Sequence, residues 1–518
     1  METKARFKRL WFGLACALAL AGSGCFTGPV DKGKQGANVT LNITAFNAGF
    51  GLDWLYGLRD VYQNTNKNVK IEIKTTVLPW GVAEQIDGGL GGIDIFMATC
   101  DLYGFVDKGS FIGLNDVYAM KPAGEDKTVE EKIFPEYKES LYYKGEWTAM
   151  PWAHGVTGMT VNLTTLAKLF PGGYELPRTT DEFIAFAGRI KNAGHYALAF
   201  SGGDSYMEYM WRPLWAQYDP EAYAGYFQGR YFDGSEWKNA DAGQSLAQPG
   251  KLKALQVLET LLKNSNGYAH AYSNSMSFAE MQAAFAGLGY GGFVDNKTVA
   301  FCPNGSWLSS EIGHLLIEQA AAGNPQDIRF MKMPILSAVR EKCPSVESDA
   351  ELSALIKAID AGSGALSGEG YSVTQGDFDR VKRARSLVSE NGTGHQAGIT
   401  NWCPNKDAAK AFLVFLASDA AGRIYANSLN GLLLPYGYVP QDSSSFSPFV
   451  QSVYGVMDGA EYLSVYPLAL RRNSLFYTRY YNAWSVNLFG GSATAQSIYD
   501  DDVVYYTNQW GNYIAGLW

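Results

Sequence analysis

The stretch from Glu146 to Asn162, EWTAMPWAHGVTGMTVN, constrains the fold more than any other part of the chain. It reads as two short strands, 147–150 and 156–161, joined through Pro151, Trp152, Ala153 and His154. Proline has no N–H to give to a sheet ladder, so Pro151 marks a place where one sheet is left. Gly155 and Gly158 let the backbone bend beside it. Two aromatic side chains that also hydrogen-bond, Trp152 and His154, therefore stand where the chain crosses between structural units. The same residues would suit a kinked core strand with a buried tryptophan, because aromatic rings mark cores as well as sites.

The rest of the chain bears on that choice. At 518 residues it exceeds what one hydrophobic core holds, so two or more domains are expected. Hydrophobic residues at 47% and charged residues at 18% are the proportions of a globular protein. Aromatic residues reach 14%, with 32 Tyr and 13 Trp, which supplies flat apolar faces in quantity.

The first 24 residues read as an export signal. Lys4, Arg6, Lys8 and Arg9 precede an apolar run from Leu10 to Ala21, which is too short to span a bilayer. The small residues Ala21-Gly22-Ser23-Gly24 then lead to Cys25, a spacing that resembles a bacterial lipoprotein signal with Cys25 as the lipidated residue. Gly22 stands where a leucine is usual, and Cys16 is a poorer candidate because it lies inside the apolar run. Residues 25–36 read as a polar, glycine-containing tether. Residues 1–24 carry a net +3 against −9 for the whole chain, so the remainder stands at −12. That acidity argues against nucleic acid and against an anionic membrane surface as direct partners. Cys100, Cys302, Cys343 and Cys403 show no CxxC spacing, which argues against zinc and favours free buried thiols over disulfides.

Residues 39–46, VTLNITAF, alternate as a strand. Leu52, Leu55, Leu58, Val61 and Tyr62 then share a helical face, and VKIEIKT at 69–75 is a second strand. Strand, helix, strand is the grammar of a parallel α/β sheet, whose ligands sit at strand carboxyl ends. Here those ends hold Phe46, Asn47 and Phe50, and later residues 98–101 after a strand at 93–97. Helices dominate the middle. Thr179 and Ser277 open capping boxes for helices at 182–193 and 278–286, and Leu252, Leu255, Leu258 and Leu262 mark another helix. Short strands are expected at 299–301 and 328–334, an insertion with two polar helices at about 337–393, and a helix–turn–helix at 404–429. The last 85 residues read as aromatic-rich and mostly helical.

No catalytic signature stands out: there is no G-x-S-x-G elbow, H-E-x-x-H or Walker loop, and the five histidines lack ligand spacing. What recurs is an aromatic ring beside a turn residue: Trp80 after Pro79, Trp152 after Pro151, Trp307 after Gly305-Ser306, and Trp402 before Pro404. Trp211 lies in MEYMWRPLW. Taken singly each ring suits a core. Together they suit a cleft in which rings stack on sugar C–H faces while Asp and Asn take hydroxyl hydrogen bonds.

Six segments follow in order: the strand–helix–strand start, IDIFMATCDLYGFVDKGSFIGLNDV, AMPWAHGVTGMTVN, RTTDEF, AFCPNGSW and NKDAAKAFLVFL. In this order they resemble the family 1 extracellular solute-binding proteins of bacterial ABC sugar importers, the group that contains the maltose-binding proteins. The resemblance implies a type II periplasmic-binding-protein-like fold, two α/β lobes around a central ligand cleft, here with extra helices. It places lobe 1 at 37–150 and 394–433, and lobe 2 at 151–393 and 434–518, with Pro151 at the first crossover. It implies ligand-binding roles for Asp101, seven residues after Asp94 as in the family, for Trp307 of the Gly-x-Trp motif, for Tyr477 near the stacking aromatic of the late helix, for Tyr209 and Trp211, and for Asn47 after the first strand. Trp80, Trp152 and His154 join them from the residues alone. Ala98 stands where the family has a stacking Trp, and Gly155 where it has the crossover Glu, which argues against maltose itself.

The expected function is capture of a carbohydrate, an oligosaccharide, for delivery to ABC permease subunits. The protein would be held at the outer face of the cytoplasmic membrane only through Cys25, with no cofactor, metal or catalysis. The alternatives are a surface glycoside hydrolase or lyase, which needs paired carboxyls across the cleft if a hydrolase, and a sensor lipoprotein partnering a membrane kinase.

Overall fold

Two six-stranded sheets receive the expected strands. The computed structural model describes residues 31–32, 38–288, 297–365, 367–368, 371–464 and 484–515. The export segment, Cys25 and Tyr477 lie outside them.

The first sheet runs in the order Asp31–Lys32, Val69–Thr76, Val39–Phe46, Ile95–Ala98, Gln396–Ile399, Met150–Pro151. Val39–Phe46 pairs in parallel with Val69–Thr76 along its whole length and with Ile95–Ala98 on its other side. The helix Asp53–Thr65 covers this sheet and buries Trp54, Leu55, Leu58 and Tyr62. Leu52 sits just ahead of the helix, and Val61 is 41% exposed. The apolar stripe thus begins at Trp54 and bypasses Val61, because spacings of one, three and four residues keep these side chains on one side.

The second sheet runs Glu461–Ser464, Leu387–Glu390, Val156–Asn162, Val299–Gly305, Tyr196–Leu198, with Ile328–Met331 also paired to Val156–Asn162. Val299–Gly305 is longer than its apolar sequence predicts. It continues through Pro303 and Asn304 opposite Met159 and Gly158. The strand expected at 147–150 is split: Glu146–Trp147 forms a hairpin with Tyr142–Tyr143, and Met150–Pro151 is an edge strand of the first sheet. Pro151 ends that edge and Val156 begins the other sheet.

Capping chemistry places the helices. Thr179 accepts from the Glu182 N–H to start Thr180–Asn192, and Ser277 forms a capping box ahead of Phe278–Phe285. Residues 404–429 fold as Lys406–Leu416 and Asp419–Ser428. The two helices expected in the insertion are Asp349–Asp360 and Gln375–Ser386. They enclose a small core of their own around Val339, Leu352, Leu355, Phe378 and Val381. Leu387–Glu390 belongs instead to the second sheet. Cys100, Cys302, Cys343 and Cys403 are free and buried. Among the described residues no helix is long and apolar enough to cross a membrane.

Three segments pass between the sheets and are bonded to one another. Trp152 N–H donates to His395 O at 3.0 Å, His154 N–H to Leu433 O at 2.9 Å, and Asn391 N–H to Gly155 O at 2.8 Å. The Tyr436 hydroxyl donates to Pro151 O at 2.8 Å. The crossing is buried. Burial holds the His154 imidazole down at about 3 and the Glu390 carboxyl up at about 7, so both charged forms are disfavoured there.

Candidate functional site

The loop after Val39–Phe46 leaves a strand carboxyl end, the position where open α/β sheets present ligands. It carries Phe50 between Gly49 and Gly51, whose φ angles of +50° and +61° suit glycine. Phe50 is buried and meets three rings, with centroids 6.0 Å from Trp307, 6.1 Å from Trp152 and 5.2 Å from His395. Trp307 follows the strand Val299–Gly305 of the second sheet, and Trp152 and His395 come from two crossing segments. Trp152 also stacks on Trp54 at 5.5 Å and 16°.

Trp307 meets Tyr209 at 6.1 Å and 81°, and Tyr209 meets Tyr206 at 5.1 Å. The Trp307 indole N–H donates to the Tyr206 hydroxyl. The ring folds back over Gly305, where a Cβ would lie 2.2 Å from Trp307 Cζ3. The Gly-x-Trp spacing is therefore a steric requirement of this ring position. At Gly155 a Cβ would sit 3.5 Å from Phe50 Cζ, 3.5 Å from Ser306 Oγ and 3.9 Å from Trp307 Cε3. A glutamate there, as in the family pattern, would need the space that Phe50 and Trp307 fill.

Glu311 lies one helical turn beyond Trp307, at the end of Leu308–Glu311. It accepts from Gln282 Nε2 at 2.5 Å and from the backbone N–H of Gly49, so it ties the second sheet's helices to the first sheet's loop. Burial raises its carboxyl to about 7, against the lowering effect of those two bonds. The sign follows: with a raised acid value, the closed contact holds a proton that the open or unfolded chain releases. Its stability is full below the ordinary carboxylate range and is lost as pH rises through about 7. Glu311→Gln should therefore gain thermal stability relative to the unsubstituted protein as pH rises from about 5 to about 8. Parallel melting profiles across that range would refute the assignment.

Two buried polar atoms at the crossing have no hydrogen-bond partner among the described residues: Trp152 Nε1 and Asn391 Oδ1. Groups of this kind call for a bound partner, since burial without one costs free energy. Among the described residues no three His, Cys, Asp or Glu side chains gather as metal ligands.

The residues singled out from the sequence divide into groups. Trp152, Tyr209 and Trp307 join one ring set through Phe50. Asn47 is exposed at the strand end, and Trp80, 42% exposed, meets Phe105 at 6.5 Å. Asp101 is half-buried, and its Oδ1 accepts from the Tyr103 N–H at 3.3 Å. The helix Tyr103–Asp107 has Leu102 at its N-cap, so Asp101 bonds the first turn without occupying the cap. His154 faces other neighbours: its Nδ1 is 2.9 Å from the Tyr137 hydroxyl, and its ring meets Phe134 and Tyr462. Trp211 turns into the second sheet's core against Trp215 and Trp484. Phe50, Tyr206, Gln282, Glu311 and His395 were missed as site residues. Phe50 at a strand end, and Tyr206 one helical turn before Tyr209, carried a signal. The others meet the site only through tertiary contact.

The sequence pattern of the family described as bacterial extracellular solute-binding protein matches residues 61–338. No curated protein matches the chain. Among solved structures, a protein described as the SBP RafE in complex with raffinose superposes with a TM-score of 0.58 at 15% identity, covering 90% of this chain and 99% of that one. The GacH receptor of Streptomyces glaucescens, solved unliganded and in complex with acarbose, gives 0.58 at 16% identity, covering 92% and 99%. A chitin oligosaccharide binding protein gives 0.61 at 17%, covering 92% and 100%. At these identities the likeness establishes the fold: two α/β lobes, one built on each sheet.

Proposed function

This chain belongs to the bacterial extracellular solute-binding proteins, and from that premise we propose that it captures a carbohydrate, an oligosaccharide, between its lobes and delivers it to an ABC importer. The observation that carries the reading is the ring set of Phe50, Trp152, Tyr209 and Trp307, drawn from both sheets and from a crossing segment. Flat rings on facing lobes suit the apolar faces of sugar rings. The raffinose, acarbose and chitin oligosaccharide named for the three similar structures support the same ligand class. Lobe closure is the mechanism. The closed form binds the ligand best, and the ligand stabilises closure by its differential affinity.

In this reading the lobes comprise about 37–150 with 394–433 and 151–393 with 434–518. Trp307 stacks on the ligand. Asn47, Trp80 and Asp101 extend the site along the first sheet's strand ends, and Tyr477 adds a ring from the late segment. Cys25 carries the lipid that holds the protein outside the cell, and no covalent chemistry is performed. Calorimetric titration over a panel of oligosaccharides tests this, with tight binding and unchanged glycan expected. A panel without a binder, or a shortened glycan, would overturn it.

Asp101 gives a sharper test. Asn at this position still accepts the Tyr103 N–H bond, so stability should hold. An ionised carboxylate, however, offers acceptors to two sugar hydroxyls, and losing these charge-assisted bonds should weaken binding by roughly 1.5–3 kcal/mol. Unchanged affinity of Asp101→Asn for the best glycan removes Asp101 from the site.

A further inference from the structure

We propose that the second lobe carries a separate ligand pocket, outside the cleft, for a single neutral sugar ring. A cavity of about 340 Å³ opens between the helices Glu208–Tyr218, Pro249–Leu262, Trp484–Gly490 and Ala495–Asn508. Its lining includes no residue of the first sheet. Its volume lies at the small end of the roughly 300–1,000 Å³ typical of ligand sites, which suits one ring rather than a chain.

The floor is aromatic and buried. Trp211 lies 5.5 Å from Trp215 and 5.2 Å from Trp484 between centroids. Trp484 Nε1 is satisfied by Glu208 at 2.7 Å. Trp211 is 6% exposed, and its Nε1–H has no hydrogen-bond partner among the described residues. A buried indole N–H beside a cavity calls for an acceptor, and a ligand hydroxyl supplies one. The rim is polar and exposed, with Asn487 and Asp501 at the mouth.

Charge selects the ligand class. Lys251 is 2% exposed, and its ammonium stands 5.7, 5.4 and 4.8 Å from the ring centroids of Trp211, Trp215 and Tyr226, with Asp502 at 2.9 Å. The rings thus already hold a cation, and an entering organic cation would meet that charge. Arg212 is likewise paired, with Glu208 at 3.3 Å. An anion would pass Asp501 and Asp502. A neutral ring with one apolar face and a hydroxyl edge fits the indole floor, the orphan N–H and the polar rim together.

This pocket and the cleft are separable by experiment. Saturation-transfer NMR on the full chain would be run with glucose, galactose, mannose and N-acetylglucosamine as probes. Transfer to at least one of them is expected, and it should persist in Trp307→Ala, which disables the cleft. Ala493→Tyr adds a ring at the mouth from a loop position and should abolish the transfer while leaving oligosaccharide affinity at the cleft unchanged. Trp211→Phe keeps an aromatic ring but removes the N–H, and should weaken binding at least tenfold. Absence of transfer in the unsubstituted protein, its loss in Trp307→Ala, or its survival in Ala493→Tyr would each overturn the proposal. Failure of the oligosaccharide titration alone bears on the cleft and not on this pocket.

Discussion

Trp307→Ala is expected to lose most of the affinity for the cleft oligosaccharide while keeping the ligand-free fold. The indole is 6% exposed, covered by Phe50 from the loop after the first sheet's Val39–Phe46 and by Tyr209. Under the proposed lobe closure the contact with Phe50 is lost when the lobes part, which leaves the ring in water. Its removal then costs little in the open form and much in the liganded form. Removing a central stacking ring from a binding site costs on the order of 2 kcal/mol or more, which is about thirtyfold in affinity. The check is calorimetric titration paired with thermal melting without ligand. Normal binding, or a ligand-free melting temperature many degrees lower, would make Trp307 a core residue.

Gly392→Ala should produce the largest loss of stability. Gly392 lies in the second crossing segment, and a Cβ there would stand 2.1 Å from the Tyr137 hydroxyl, 2.2 Å from the Ala153 carbonyl oxygen and 2.8 Å from Glu390 Oε1. The nearest backbone atom belongs to the first crossing segment. That segment cannot move aside cheaply, because the Asn391–Gly155 and Trp152–His395 hydrogen bonds hold the two together on either side. Overpacking against fixed atoms costs on the order of 3 kcal/mol, which in a chain of this length corresponds to a melting temperature lower by roughly 3 °C. Oligosaccharide affinity should fall as well, since the crossing segments set the angle between the lobes. A variant that melts within a degree of the unsubstituted protein would show that the two segments are not packed this closely.

Much of the architecture was legible before any coordinates. The strand Val39–Phe46 was readable from its alternation, and Thr180–Asn192 and Phe278–Phe285 from their caps, because these signals are local. Pro151 was readable as an exit from a sheet because a missing N–H acts at its own position, whatever surrounds it. Val299–Gly305 was underestimated, because Pro303 and Asn304 are poor strand formers held in place by the neighbouring strand.

The site divides along the same line. The sequence by itself determined that aromatic rings would stand at element ends, that Trp307 would follow a glycine, and that the chain belongs to a two-lobed binding family. Only the tertiary structure decided which rings meet. Tyr209 and Trp211 are two residues apart on one helix, and successive positions of a helix turn by about 100°, so one reaches Trp307 while the other enters the second lobe's core. Trp152 and His154, in the non-helical crossing segment, also part, one toward Phe50 and the other toward Tyr137. Glu311 became a contact between lobes only because a loop more than 250 residues earlier in the chain delivers the Gly49 N–H to its carboxylate. Local patterns encode which side chains a segment offers. Which of them face one another is set by packing between segments far apart in sequence, and single-residue periodicity does not carry that information.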